Sequence, residues 1–231
     1  MEFRPSRTAL TAAAARAAHL IVDAEPYIFE DRAARPLLGV DAEELLDYHR
    51  LHGDHPVLAG ARTQVVVRSR FAEQHVAAAA RRGVDQYVIL GAGLDSFAYR
   101  QGPADVVVFE VDHPVTQEWK RVRVSQAPLT QHRPVRYVPV DFEAGHSLPE
   151  RLQANGFDAT RSAVLSWLGV TVYLTRPAIE ATLQTIGGFA PGTELIVDFM
   201  LPAGSRDQAG EFYASRVAPN AAAGGEPWLS F

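Results

Sequence analysis

The sequence predicts an α/β fold, a doubly wound and mostly parallel sheet preceded by a helical region. Three observations carry this. Five short apolar runs rich in Val and Ile occur after residue 85 without polar alternation, the pattern of strands buried on both faces. Stretches able to hold helices separate them, and such alternation favours parallel pairing through crossovers. Before residue 86 the chain reads as helical. A chain of 231 residues is long enough for one large domain with a core.

The first element is a helix. Residues 8–22 combine good helix formers with an apolar stripe. Arg4 and Arg7 ahead of an alanine-rich run faintly imitate a signal peptide, but Arg16 and His19 interrupt the run, so it is read as a first helix. Pro26, Pro36 and Pro56 divide the next stretch into short pieces. Residues 63–82 form the clearest helix, closing with Arg81, Arg82 and Gly83. Strands are expected at 86–90, 106–111, 136–140, 163–168 and 194–199, with helices at 95–101, 114–126, 147–155 and 177–189. Residues 219–225 read as a loose run. The ending 226–231 is apolar after Glu226 with nothing beyond it to pack against, so the expectation is a piece whose last helix and strands lie outside it.

Composition excludes several function classes. Hydrophobic residues at 47% and charged residues at 21% rule out disorder as the main state. The net charge of −5, without a basic stripe, argues against a nucleic-acid partner. Cysteine is absent, which removes disulfides, thiolate nucleophiles and cysteine-held zinc. The longest uncharged apolar run, 162–175, has 14 residues against the ~20 that a bilayer needs. The reading is a cytoplasmic protein, off the membrane, with a small-molecule partner. Lys120 is the only lysine among 22 basic residues, which is read as codon bias.

Three strand ends carry candidate chemistry. Gly91 and Gly93, in Leu90-Gly-Ala-Gly-Leu-Asp95, let backbone approach a ligand closely at the end of the first strand. The dinucleotide fingerprint needs a third glycine where Ser96 stands, which argues against nicotinamide binding. Asp112, 19 residues after Gly93, ends the second strand and can accept from both hydroxyls of a ribose. Asp141 and Phe142 end the third, where a carboxylate and the next backbone N–H can meet an adenine edge. Each alone has a plain structural reading as a turn or cap; in a sheet ordered 3-2-1 their ends are neighbours, and one nucleoside touches all of them. Residues 166–174, with Thr171 and Tyr173, reach the same crevice. Arg68 and Arg70 lie ~200° apart around their helix, so at most one faces a given site. His49, His52 and His55 with Asp54 drift off one helix face and precede Pro56, so they are read as a surface loop and no metal is assigned.

On these residues the chain resembles the leucine carboxyl methyltransferase-like group of class I S-adenosylmethionine-dependent methyltransferases, including the polyketide O-methyltransferase branch. The carrying segments are Ser6-Arg-Thr-Ala9 with Arg16-Ala-Ala-His19, Arg68-Ser-Arg-Phe71, the block from Val88 to Arg100, Phe109-Glu-Val-Asp-His-Pro114, Val140-Asp-Phe142 and Gly169-Val-Thr-Val-Tyr-Leu174. The resemblance implies a Rossmann-like domain over 86–231 and an N-terminal lid over 1–85, the two forming one unit. It implies S-adenosyl-L-methionine as cofactor. Arg68 would grip the methionine carboxylate, with Arg70 the lesser candidate. Gly91 and Gly93 would flank the methionine moiety, Asp112 would hold the ribose, and Asp141 with Phe142 the adenine. A glutamate common in the family at the start of the fourth-strand motif is here Leu168, which puts contacts made there in doubt.

The expected reaction is methyl transfer to a carboxylate or hydroxyl oxygen, driven by alignment and desolvation. Tyr173 and His113 are base candidates by location only, so the catalytic residue is left unassigned. A non-catalytic cofactor-binding protein and a nicotinamide-dependent oxidoreductase are the alternatives.

Overall fold

The computed structural model describes residues 6–103 and 105–230; Arg4 and Phe231 lie outside these. Five parallel strands form one sheet: β1 (Gln86–Leu90), β2 (Val107–Asp112), β3 (Val135–Pro139), β4 (Val164–Trp167) and β5 (Glu194–Val197). Their order is β3-β2-β1-β4-β5. The chain builds outwards from β1 to β3, then returns to the other side of β1. The switch point between β1 and β4 is where open α/β sheets take ligands, at the carboxyl ends.

Both faces of the sheet are covered, as the apolar runs require. On one, Val88, Leu90, Phe109, Val111, Leu165 and Trp167 pack against α6 (Leu148–Ala154) and α7 (Arg176–Gly187). On the other, Tyr87, Ile89, Val108 and Val164 meet Ala72, Val76 and Ala79 of α4 (Pro56–Ala80). The N-terminal region forms its own core. Ala13, Ala14, Ala17 and Ala18 of α1 (Arg7–Val22) are buried against α2 (Ala34–Leu38) and α3 (Ala42–His52). Alanine there lets helix axes approach closely. No helix among the described residues is long and apolar enough to cross a membrane.

Several expectations need correction. The long helix starts at Pro56, seven residues before the predicted start, because proline at the first helical position costs no hydrogen bond and the His55 side chain accepts the Val57 N–H. Residues 95–101 hold only a single 3₁₀ turn, Phe97–Tyr99, because Asp95 turns its carboxylate onto the Phe97 N–H. The loose run 219–225 lies mostly within α8 (Gln208–Ala223), which contains Pro219. Residues 226–230 fold back on earlier parts of the chain, which leaves the expectation of further elements beyond them uncorrected: Leu229 N–H donates to the Val172 carbonyl at 2.7 Å and Glu226 accepts from Thr8 N–H at 2.9 Å. His49 belongs to α3 and is buried, not on a surface loop; its ring lies 3.5 Å from Arg62, which is itself held by Asp23 at 2.8 Å.

The face of β2 towards α5 (Pro114–Gln126) buries an ion pair. Lys120 Nζ lies 2.6 Å from Glu110 Oε2, and both side chains are 1% exposed. Burial pushes the Glu110 carboxyl up, against the pull of Lys120.

These buried charges set two stability outcomes. Lys120→Met strands the Glu110 carboxylate and should cost about 3–5 kcal/mol in urea unfolding, most of it recovered in Lys120→Met/Glu110→Gln. Burial, then Arg62, depresses His49 from 6.5 to about 4. The unfolded chain therefore takes up that proton first. The stabilisation from neutral His49 is complete well above pH 6.5 and is lost as pH falls towards 4, by about 3 kcal/mol. Glu110 contributes the opposite slope, so the measurement is the stability difference between wild type and His49→Gln across pH 4–7.

Candidate functional site

The carboxyl ends of β2, β1, β4 and β5 align in one row. Val111 pairs with Leu90, Leu90 with Trp167, and Trp167 with Val197. The next residue on each strand, Asp112, Gly91, Leu168 and Asp198, therefore faces the same crevice mouth.

Gly91 and Gly93 both adopt left-handed backbone, with φ of 68° and 47°. That conformation suits glycine. Space demands it too: a Cβ on Gly91 would collide with a Val170 methyl, and one on Gly93 would lie 2.8 Å from Ala9 of α1. The turn is tied to β2 from both sides. The Val111 carbonyl accepts the Gly91 and Ala92 N–H groups at 2.8 and 3.0 Å. Asp112 Oδ2 accepts the Gly93 N–H at 2.5 Å, and its Oδ1 accepts the His113 N–H at 2.6 Å. Burial raises the Asp112 carboxyl above its ordinary range, against the pull of those two N–H groups. Two amides orient this half-buried carboxylate and leave it lone pairs for further donors.

Asp141 comes just after β3. Its Oδ1 accepts the Glu143 N–H at 2.9 Å, and its own N–H donates to His146 Nδ1 at 3.1 Å. His113 Nε2 lies 3.8 Å from Asp141 Oδ2, so one imidazole spans the ends of β2 and β3. Phe142 packs its ring 6.1 Å from that of Trp167 at the rim of the core.

Of the two arginines on α4, Arg68 reaches the crevice and Arg70 does not. Arg68 Nη1 donates to Asp198 Oδ2 at 2.9 Å, and its guanidinium lies so close to Gly169 that a Cβ there would overlap it. Arg70 is exposed and donates to the Ile28 carbonyl at 2.7 Å. Tyr173 sits beyond Gly169, and burial raises its phenol, with Trp228 and Thr8 hydrogen-bonded to it. It is therefore protonated at neutral pH.

A buried network behind the glycine turn escaped the sequence reading. Asp31, with no exposed side-chain surface, accepts from Arg16 Nε at 2.7 Å and the Ser96 hydroxyl at 2.6 Å. Arg16 Nη2 donates to the Leu94 carbonyl at 2.6 Å. Arg100 bridges Ser96 and Glu73 of α4. Burial would raise the Asp31 carboxyl, but Arg16 and Arg100 outweigh it and hold it below its ordinary range. Ser96, at the position of a third glycine, is thus committed inwards. Asp198 was also missed, because the predicted fifth strand ran past it. Its signal was present: Val197-Asp198 repeats the Val111-Asp112 and Val140-Asp141 pattern. Among the described residues, no group of three or more potential ligands could hold a metal ion.

The family model described as leucine carboxyl methyltransferase matches residues 9–187. A Mycobacterium tuberculosis H37Rv protein named "Putative S-adenosyl-L-methionine-dependent methyltransferase" is 35% identical over 209 residues, covering 86% of this chain and 65% of that protein. A Bacillus subtilis 168 protein of the same designation is 30% identical over 250 residues, covering 97% and 81%. The chain thus spans about two thirds of the mycobacterial relatives' length. Among solved structures, a Thermobifida fusca "putative methyltransferase" superposes with a TM-score of 0.58 at 19% identity, over 99% of this chain and 77% of that one. A DUF574 family protein from Streptomyces avermitilis gives 0.57 at 16%, over 94% and 78%. At those identities the two structures establish the shared fold.

The turn geometry yields one measurement. Gly91→Ala should destabilise by about 1–3 kcal/mol, from left-handed backbone plus the clash with Val170. Adding Val170→Ala should return the steric share, seen as a positive coupling in a double-mutant cycle of urea midpoints.

Proposed function

Because the chain belongs to the leucine carboxyl methyltransferase family, we propose that it binds S-adenosyl-L-methionine over its strand ends and directs methyl transfer to a small-molecule oxygen, a carboxylate or a hydroxyl. The observation that carries this reading is the Gly93 N–H to Asp112 bond at 2.5 Å. It couples a glycine turn, where backbone can lie against a ligand, to a carboxylate oriented for vicinal hydroxyls, at the switch point of the sheet.

The residues present fit such a cofactor. Asp112 keeps acceptor capacity beyond its two amide donors, and Arg68 offers a guanidinium at the other end of the row. In this reading Asp112 accepts from the ribose, and Asp141 with Phe142 borders the adenine. Arg68 pairs with the carboxylate of the methionine moiety, and the N-terminal helices cover the site. When bound, the cofactor supplies an electrophilic methyl on a sulfonium. The protein's part is to align the acceptor oxygen and exclude water. A carboxylate acceptor is already ionised at neutral pH and needs no base, whereas a phenol, with a pKa of ~10, gains from one.

Calorimetric titration with S-adenosylhomocysteine tests the reading, with NADH alongside. Wild type should bind S-adenosylhomocysteine and not NADH. Asp112→Ala, and the isosteric Asp112→Asn, should weaken binding roughly 10- to 100-fold. Unchanged affinity in both variants would remove Asp112 from the ribose role, and NADH binding would favour the oxidoreductase alternative. Binding without transfer to any acceptor would favour the non-catalytic one.

A further inference from the structure

Arg68 and Asp198 form a pair that the ribose and adenine contacts leave unused. The two side chains lie 2.9 Å apart with exposures of 20% and 28%, and they open into a cavity that they line together with Leu168, Gln64 and Phe71, so a ligand entering it can reach both. Each is held in place from behind. Arg68 lies against Gly169, which has no room for a Cβ. Asp198 Oδ1 accepts the Gly169 N–H at 2.5 Å, and its backbone carbonyl accepts the Thr171 hydroxyl at 3.0 Å. Leu168, the neighbour on β4, contributes no polar side-chain atom, so the acceptor at this end of the row comes from β5.

An arginine beside an aspartate, both anchored and both reachable, is the chemical complement of a zwitterion. The guanidinium suits a carboxylate bidentately, and the carboxylate suits an ammonium. The amino-acid end of S-adenosylmethionine is such a zwitterion. The register also supports the span. Asp112 and Asp198 occupy the same row three strands apart, and the bond to Gly169 draws the Asp198 side chain back towards β4. Three strand spacings set their backbone positions roughly 14 Å apart, and both side chains lean inwards, Asp112 to Gly93 and Asp198 to Gly169. The C5′–sulfur–Cγ–Cβ link between a ribose and an amino-acid head can bridge the gap that remains. Building on the cofactor reading above, we propose that Asp198 receives the α-ammonium of the cofactor while holding Arg68 in position for its α-carboxylate.

The test uses three ligands on wild type and on Asp198→Asn, which keeps the shape and the Gly169 contact but removes the charge. The ligands are S-adenosylhomocysteine, its analogue lacking the α-amino group, and 5′-methylthioadenosine, which lacks the whole amino-acid end. Asp198→Asn should weaken S-adenosylhomocysteine roughly 10- to 100-fold. The analogue lacking the α-amino group, which still pairs its carboxylate with Arg68, should lose clearly less than S-adenosylhomocysteine, 5′-methylthioadenosine should be little changed, and Asp198→Glu should restore part of the loss. Equal losses for all three ligands would overturn the proposal, because that is what a disturbed site would give. Unchanged affinity for S-adenosylhomocysteine would overturn it too. Tighter binding would overturn it in another way, showing that Asp198 only competes with the ligand for Arg68. If wild type binds none of the three, the cofactor reading fails and this proposal fails with it. If wild type binds all three and Asp112→Asn weakens them while Asp198→Asn does not discriminate, only this proposal fails.

Discussion

Asp31 stands in the loop ahead of α2 with no exposed side-chain surface, and four parts of the chain converge on it. Arg16 arrives from α1, Ser96 and Arg100 from the segment after the glycine turn, and the Ala33 and Ala34 amides from the start of α2. Glu73 of α4 joins through Arg100. A buried carboxylate is tolerated only when such donors replace water. The same donors fix where the helices lie relative to the sheet. Because Arg16 also holds the Leu94 carbonyl, the shape of the glycine turn and the seating of α1 are set by one charge. Ala9 then comes to rest over Gly93 as a consequence of helix placement.

The sheet was readable because its signal is local. Val- and Ile-rich runs of about five residues buried on both faces have few other uses, and the 3-2-1 ordering was enough to bring Gly91, Asp112 and Asp141 to neighbouring strand ends. Boundaries drifted where a single side chain decides them. Pro56 reads as a breaker by composition but starts a helix in fact, and Asp95 stops a helix that the apolar pattern of 95–101 would allow. His49 looked like a loop residue because its spacing to His52 and His55 was weighed for metal binding. Its partner Arg62 is distant in sequence and invisible to any local pattern.

Along the row of strand ends, Gly93 and Asp112 were legible and the pairing of Arg68 with Asp198 was not, for one reason. Asp112 and Gly93 lie on consecutive elements and belong to a recognisable spacing. The Asp198–Arg68 pair joins residues 130 positions apart, and the Asp31–Ser96 bond joins residues 65 apart. Only the packing of α4 and α1 onto the sheet creates these pairs. A sequence shows which groups are chemically able to meet; the helical layer decides which of them do.

Lys120 carries the only side-chain amine in the chain, and the fold places it where reagents dissolved in water do not reach. Amine-directed chemistry, whether acetylation or attachment of a dye or a linker, accordingly finds no lysine handle on the native surface. The same feature gives the protein a built-in reporter: covalent labelling of Lys120 can occur only while α5 has lifted from β2, so its rate counts the openings of that part of the sheet.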